Sequence, residues 1–81
     1  MNSEQSTYPF EVGRRYRVRK PFTAMRDEFR SGEILRYTGS AYSRYDGITG
    51  YFFTDEQEMG RSWDVGDEDS VEVSVELFEA L

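Results

Sequence analysis

The chain has neither cysteine nor histidine among its 81 residues. Without thiols it has no disulfide and no thiolate nucleophile. Without imidazole as well, the usual ligand sets for zinc, haem and iron–sulfur clusters are missing, as is His-based acid/base chemistry. Long apolar runs are missing too: no segment approaches the roughly 20 apolar residues a membrane-spanning helix needs. The start, MNSEQST, has neither the basic residues nor the apolar stretch of a secretion signal. Positive charge is scarce, with 10 Lys and Arg against 16 Asp and Glu and a net charge of −6. A polyanion is held mainly by clustered Lys and Arg, so this balance speaks against nucleic acid as a general partner. These absences predict a cytoplasmic protein with no cofactor, no metal and no membrane.

Aromatic residues are plentiful, at 16% of the chain, including six Tyr and six Phe. In so short a chain a few large rings can close a core that many aliphatic residues would otherwise fill. The pattern predicts one domain over residues 8–81, preceded by a polar, disordered tail at 1–7. The charge is uneven: residues 1–54 hold nine basic and six acidic side chains, and 55–81 hold one basic and ten acidic.

The central stretch GEILRYTGSAYSRYDGITGYFFT reads as two strands, residues 33–38 and 48–54, around a loop carrying the turn pair Asp46-Gly47. Before it, residues 14–20 alternate Tyr16 and Val18 with Arg15, Arg17 and Arg19, giving a strand with one apolar and one basic face. In residues 22–30, Phe22, Met25 and Phe29 recur at helical spacing. This segment is either a short helical turn or a loop pinned by three large side chains, with all three expected as core plugs. Tyr51, Phe52 and Phe53 are consecutive, so at least one ring must turn away from the core unless both faces are covered. Gly50 gives freedom for a bend there.

After the loop at 55–58, residues 61–65 form the fourth strand, with Trp63 as its inward anchor. Residues 70–75, SVEVSV, alternate as a fifth strand with Val71, Val73 and Val75 inward, and Leu77, Phe78 and Leu81 suggest a terminal helical turn. If the first and last strands are neighbours, Arg15, Arg17 and Arg19 oppose Glu72 and Glu76, which accounts for the charge asymmetry without a partner. The turn DVGDED lacks the oxygen-ligand spacing of a calcium loop.

The segment DEFRSGEILRY, Asp27 through Tyr37, is similar to the stretch of SH3 domains that runs from an acidic loop through a Gly-Glu turn into a Leu-bearing strand. Trp63 and the closing VELFEAL resemble later SH3 landmarks, and the size and pattern are also similar to small bacterial protein families. The resemblance implies a mainly β, five-stranded SH3-like small barrel. It does not carry over the proline-binding residues, because the first strand is RRYRVRK and the third, GYFF, has no Trp.

Three functions are weighed on these residues. The first is a non-catalytic protein-interaction module, monomeric or weakly dimeric, with Tyr42, Tyr45, Tyr51 and Trp63 as an aromatic surface beside Asp46, Asp55 and Glu56. Such a surface suits a basic or amphipathic segment of a protein or peptide, the acids steering and the rings anchoring. The second is single-stranded nucleic-acid binding through Arg15, Arg17 and Arg19. The third is an enzyme using Asp46 and Asp55 as acid and base, for which the rest of the usual catalytic set is missing.

Overall fold

The fold was obtained as a computed structural model, which describes residues 9–69 and 73–81. Its framework is a five-stranded antiparallel sheet built from β1 (Arg15–Val18), β4 (Ile34–Ser43), β5 (Ile48–Thr54), β6 (Gly60–Gly66) and β7 (Phe78–Ala80), in the order β6-β5-β4-β1-β7. A separate two-stranded hairpin, β2 (Phe22–Thr23) with β3 (Glu28–Phe29), and one helical turn, α1 (Ser74–Leu77), complete the chain. The protein is thus mainly β. Among the described residues no ladder joins β6 to β7, so the sheet is open rather than closed into a barrel.

The expected strands at 33–38, 48–54 and 61–65 are present, and Tyr16, Val18, Leu35, Tyr37, Phe53, Trp63 and Val65 all face one buried side. Phe10 fills the centre of that side. Its ring lies 5.0 to 5.9 Å from those of Tyr16, Tyr37, Tyr51, Phe53, Trp63 and Phe78, at the tilted and edge-on angles that aromatic quadrupoles favour. The entering segment is held there by two hydrogen bonds: Glu11 N–H donates to the Tyr16 hydroxyl at 2.8 Å, and Gly13 N–H to the Tyr37 carbonyl at 2.8 Å. One sheet face is therefore covered by the chain's own N-terminal plug, the β2–β3 hairpin and α1, all carrying rings or aliphatics into it.

Two expectations are corrected. Residues 73–75 of the proposed fifth strand are not extended: Val73 precedes and Ser74–Leu77 forms α1, with Ser74 and Leu77 buried and Val75 exposed. Residues 70–72, including Val71 and Glu72, lie outside the described residues. The strand beside β1 is instead β7, which sets Phe78 opposite Val18. A large ring in that place meets Phe10, Phe22, Phe29, Phe53 and Trp63, so aromatic packing overrides the local Val alternation. Phe78 is therefore in a strand rather than in a terminal helical turn, and Leu81 is exposed. First and last strands are neighbours as expected, but the charge opposite Arg17 is Glu79, at 3.5 Å, with Lys20 reaching Glu76 at 4.0 Å.

The second correction is the 22–30 segment, which is neither a helix nor an irregular loop. Phe22 and Phe29 are cross-strand partners whose rings stack 4.7 Å apart, and Ala24 N–H to the Asp27 carbonyl at 2.8 Å closes the turn. Met25, at the tip, is 60% exposed and plugs nothing.

Because Phe10 touches six rings, Phe10→Ala should destabilise the protein by about 3–5 kcal/mol in urea unfolding. Tyr45→Ala, at a fully solvated tip, should stay within about 0.5 kcal/mol. An unchanged midpoint for Phe10→Ala would contradict the central placement of that ring.

Candidate functional site

A short hairpin has little core of its own, so its position depends on what ties it to the sheet. Arg61 on β6 supplies the main tie. Its side chain is largely buried and donates to Asp27 Oδ1 at 3.1 Å, to Glu33 Oε2 at 2.7 Å and to the Glu28 carbonyl, with Asp55 Oδ2 at 3.8 Å. The guanidinium carbon also lies 4.9 Å over the Phe29 ring. The hydrogen bond to Glu33 raises the Arg61 pKa, partial burial opposes it, and Asp27 adds to the rise. Burial pushes the Glu33 carboxyl upward, yet hydrogen bonds from Arg61 and from the Arg30 N–H outweigh it and hold the group below its ordinary value.

Arg26, at the hairpin tip, makes the second tie. It grips Asp64 through both carboxylate oxygens, at 2.6 and 2.9 Å, and reaches the Ser62 hydroxyl at 2.9 Å. The Asp64 side chain is only 4% exposed. A buried carboxylate stands only when paired, and this fork-to-fork geometry is the strong form of pairing. The Arg26 bond, helped by the Ser62 hydroxyl, holds Asp64 below the usual carboxylate range against the effect of burial.

Leaning over in this way, the hairpin tip makes one wall of a hollow of about 480 Å³ on the outer face of β4, β5 and β6. The floor is Ala41, Ile48, Gly50 and Phe52, and Tyr42 stands at the far side. Phe52 is the ring that the run of three aromatics required to turn outward: its neighbours Tyr51 and Phe53 are buried in the core. Gly50 is needed at the floor, since a Cβ there would lie 3.0 Å from Asp64 Oδ1 and 3.2 Å from the Phe52 ring. A register shift between Tyr37 and Gly39 lets β4 run on to Ser43, so that Ala41 lies opposite Gly50 and Ser43 opposite Ile48.

The candidates from the sequence are distributed unequally around this hollow. Tyr42 and Asp46 line it, and Tyr45, 95% exposed, stands on the adjoining loop. Tyr42 is 58% exposed, and its hydroxyl donates to Asp67 Oδ2 at 3.0 Å, which raises the phenol pKa. Asp46 accepts from the Ser43 hydroxyl at 3.1 Å. Tyr51 and Trp63 are corrections: both belong to the buried core. Asp55 and Glu56 sit past the opposite end of β5, whose seven residues span about 20 Å. There Asp55 caps its own loop, accepting from Gln57 and Met59 N–H at 2.9 Å each. Asp46 and Asp55 are thus too far apart to act as an acid/base pair.

The basic candidates lie on a third surface. Arg17 meets Glu79, while Arg15 is directly opposite Arg36 across the β1–β4 ladder, and Arg19 is exposed beyond it. Met25, Arg26, Ile48, Phe52 and Asp64 are the residues sequence reading left unassigned to the site. Only Phe52 had a local signal.

Asp64 and Glu33 both titrate lower in the folded chain than at their ordinary values of 3.8 and 4.5. A depressed carboxylate stabilises the fold above its unfolded pKa, and that contribution is lost as pH falls through the folded value. The melting temperature should therefore hold from pH 7 to about 5 and fall progressively below about 4.5. Asp64→Asn should flatten part of that fall; an acid limb identical to the parent's would contradict the pairing.

No family model and no curated protein matches the chain. Among solved structures it is similar to an integron cassette protein from the mobile metagenome of Vibrio cholerae, with a TM-score of 0.76 and 23% sequence identity over 95% of this chain and 92% of that one. At that identity the likeness is one of fold, a small β-rich domain.

Proposed function

We propose that the protein is a non-catalytic interaction module that seats an extended, basic and apolar polypeptide segment in the hollow on the outer face of its sheet. The observation that carries this reading is the company of that hollow: Met25 and Tyr42, large side chains left 60% and 58% exposed, flank a floor of Ala41, Ile48 and Phe52. Exposed apolar groups gathered around a concavity are the usual anchor points of a partner. Acids stand beside them, with Asp46 at the rim, Asp67 under the Tyr42 hydroxyl and Glu68 and Asp69 in the same turn. Together with the net charge of −6, they would speed the approach of a basic segment and set its orientation.

The finer fold reading is that of an SH3-like domain acting in the cytoplasm as a monomer or weak dimer. What supports it is the position of a hairpin between β1 and β4 and of a helical turn just before a last strand that returns to β1. The second functional reading, single-stranded nucleic acid on Arg15, Arg17 and Arg19, draws support from one feature. Arg15 and Arg36 face each other with no carboxylate within ion-pair distance among the described residues.

Panning a displayed library of linear peptides against the protein tests the first reading, and binding of a short oligothymidylate tests the second. Binders should be rich in Lys or Arg beside apolar residues, and Met25→Asp and Tyr42→Ala should each weaken them by about tenfold or more, equal to about 1.4 kcal/mol, without lowering the melting temperature much. Failure to enrich any binder, or equal binding by both variants, would refute the peptide reading. Salt-sensitive binding of a short oligothymidylate that Arg15→Glu abolishes would favour the second.

A further inference from the structure

β6 is the outermost strand of the sheet, and among the described residues one buried position on its free edge is open. Asp55 N–H bonds the Met59 carbonyl at one end of the β5–β6 pair and Asp67 N–H bonds the Gly47 carbonyl at the other. Counting inward through the unbroken register from either end, Trp63 is bonded to β5, while Gly60, Ser62, Asp64 and Gly66 turn their N–H and C=O groups outward. Gly60 lies exposed at the start of the strand, and two of the other three outward N–H groups are occupied by side chains of this chain: Asp27 Oδ2 accepts from Ser62 at 3.2 Å, and Asp69 Oδ2 from Gly66 at 3.1 Å. Between them, Asp64 N–H has no acceptor among the described residues, although Asp64 is a buried residue. A buried backbone N–H left unpaired is rare in folded proteins.

That position faces a second hollow, of about 660 Å³, on the other side of the hairpin from the first. Phe22, Ala24, Met25, Trp63, Val65 and Leu77 line it, with Asp69 at its edge. An apolar channel beside an unpaired strand edge is the arrangement that accepts an added strand, in which main-chain bonds give affinity and alternate side chains enter the channel.

We infer that an extended segment of a partner pairs with β6 at Asp64, accepting a hydrogen bond from the Asp64 N–H and donating one to the Asp64 carbonyl. Its apolar side chains enter the channel beside Trp63 and Leu77, and a basic side chain at the end of the pairing meets Asp67, Glu68 and Asp69. The carboxylates of Asp27 and Asp69 limit the pairing to this short stretch, which keeps the edge from templating open-ended association. This inference rests on the reading of the protein as an interaction module and names a backbone-pairing mode that the outer-face hollow does not require.

The test uses three probes with identical side chains: acetyl-Lys-Val-Lys-Val-Lys-Val-Lys-amide, and the same peptide N-methylated at alternate residues in each of the two possible phases. With the unmodified peptide, hydrogen exchange at Asp64 N–H, followed by NMR on the full chain, should slow by at least about tenfold. One of the two methylation phases should abolish binding while the other leaves it intact. Equal binding by all three peptides, with shifts confined to Ala41, Ile48 and Phe52, would overturn edge pairing and leave the outer-face reading standing. Binding that leaves Asp64 exchange unchanged, or no binding at millimolar peptide, would also overturn the edge inference, and the library selection would still judge the outer face independently.

Discussion

The Arg61 guanidinium is the fixed point on which the shape of this molecule depends. It reaches from the outermost strand of the sheet to Glu33 before β4, to Asp27 and Glu28 in the hairpin, and over the Phe29 ring. One open side of the aromatic core is closed by a two-residue-per-strand hairpin that would not persist alone. Stacking of Phe22 on Phe29 gives the hairpin its apolar underside, and the cation holds it in register against β6.

From that anchorage the two hollows follow. Once the hairpin is fixed, its tip overhangs the sheet and Arg26 lands on Asp64, separating an outer-face hollow from an edge channel. Met25 lines both hollows. Asp27, Glu33 and Asp64, the acids of these ties, neutralise Arg26 and Arg61, so the remaining acids near the hollows are Asp46, Asp67, Glu68 and Asp69.

The strands that bury rings were legible in the sequence, because alternation of Tyr16 with Val18, or Leu35 with Tyr37, can be satisfied in only one way by a half-buried sheet. Phe52 was foreshadowed too, since three consecutive rings cannot all point inward. What failed did so for non-local reasons. The i, i+3 spacing of Phe22 and Met25 imitates a helix, but the partner of Phe22 is Phe29 across a turn. The SVEVSV alternation is as good as any in the chain, yet α1 begins within it, because β1 has room for a short strand and Phe78 fills that place with a ring. The pairs Arg26–Asp64 and Arg61–Glu33 lie 38 and 28 residues apart, and nothing in local spacing announces them. That the Asp64 amide has no acceptor among the described residues is legible only from which neighbouring amides are already taken.

The dependence of these surfaces on Arg61 is best tested by backbone ¹⁵N relaxation at Met25 and Arg26 in the parent and in Arg61→Met. A tip anchored as described has order parameters near about 0.85 in the parent that drop below about 0.6 in the variant while the β4–β5–β6 strands stay rigid. A tip equally ordered in both proteins, or already mobile in the parent, would contradict the account.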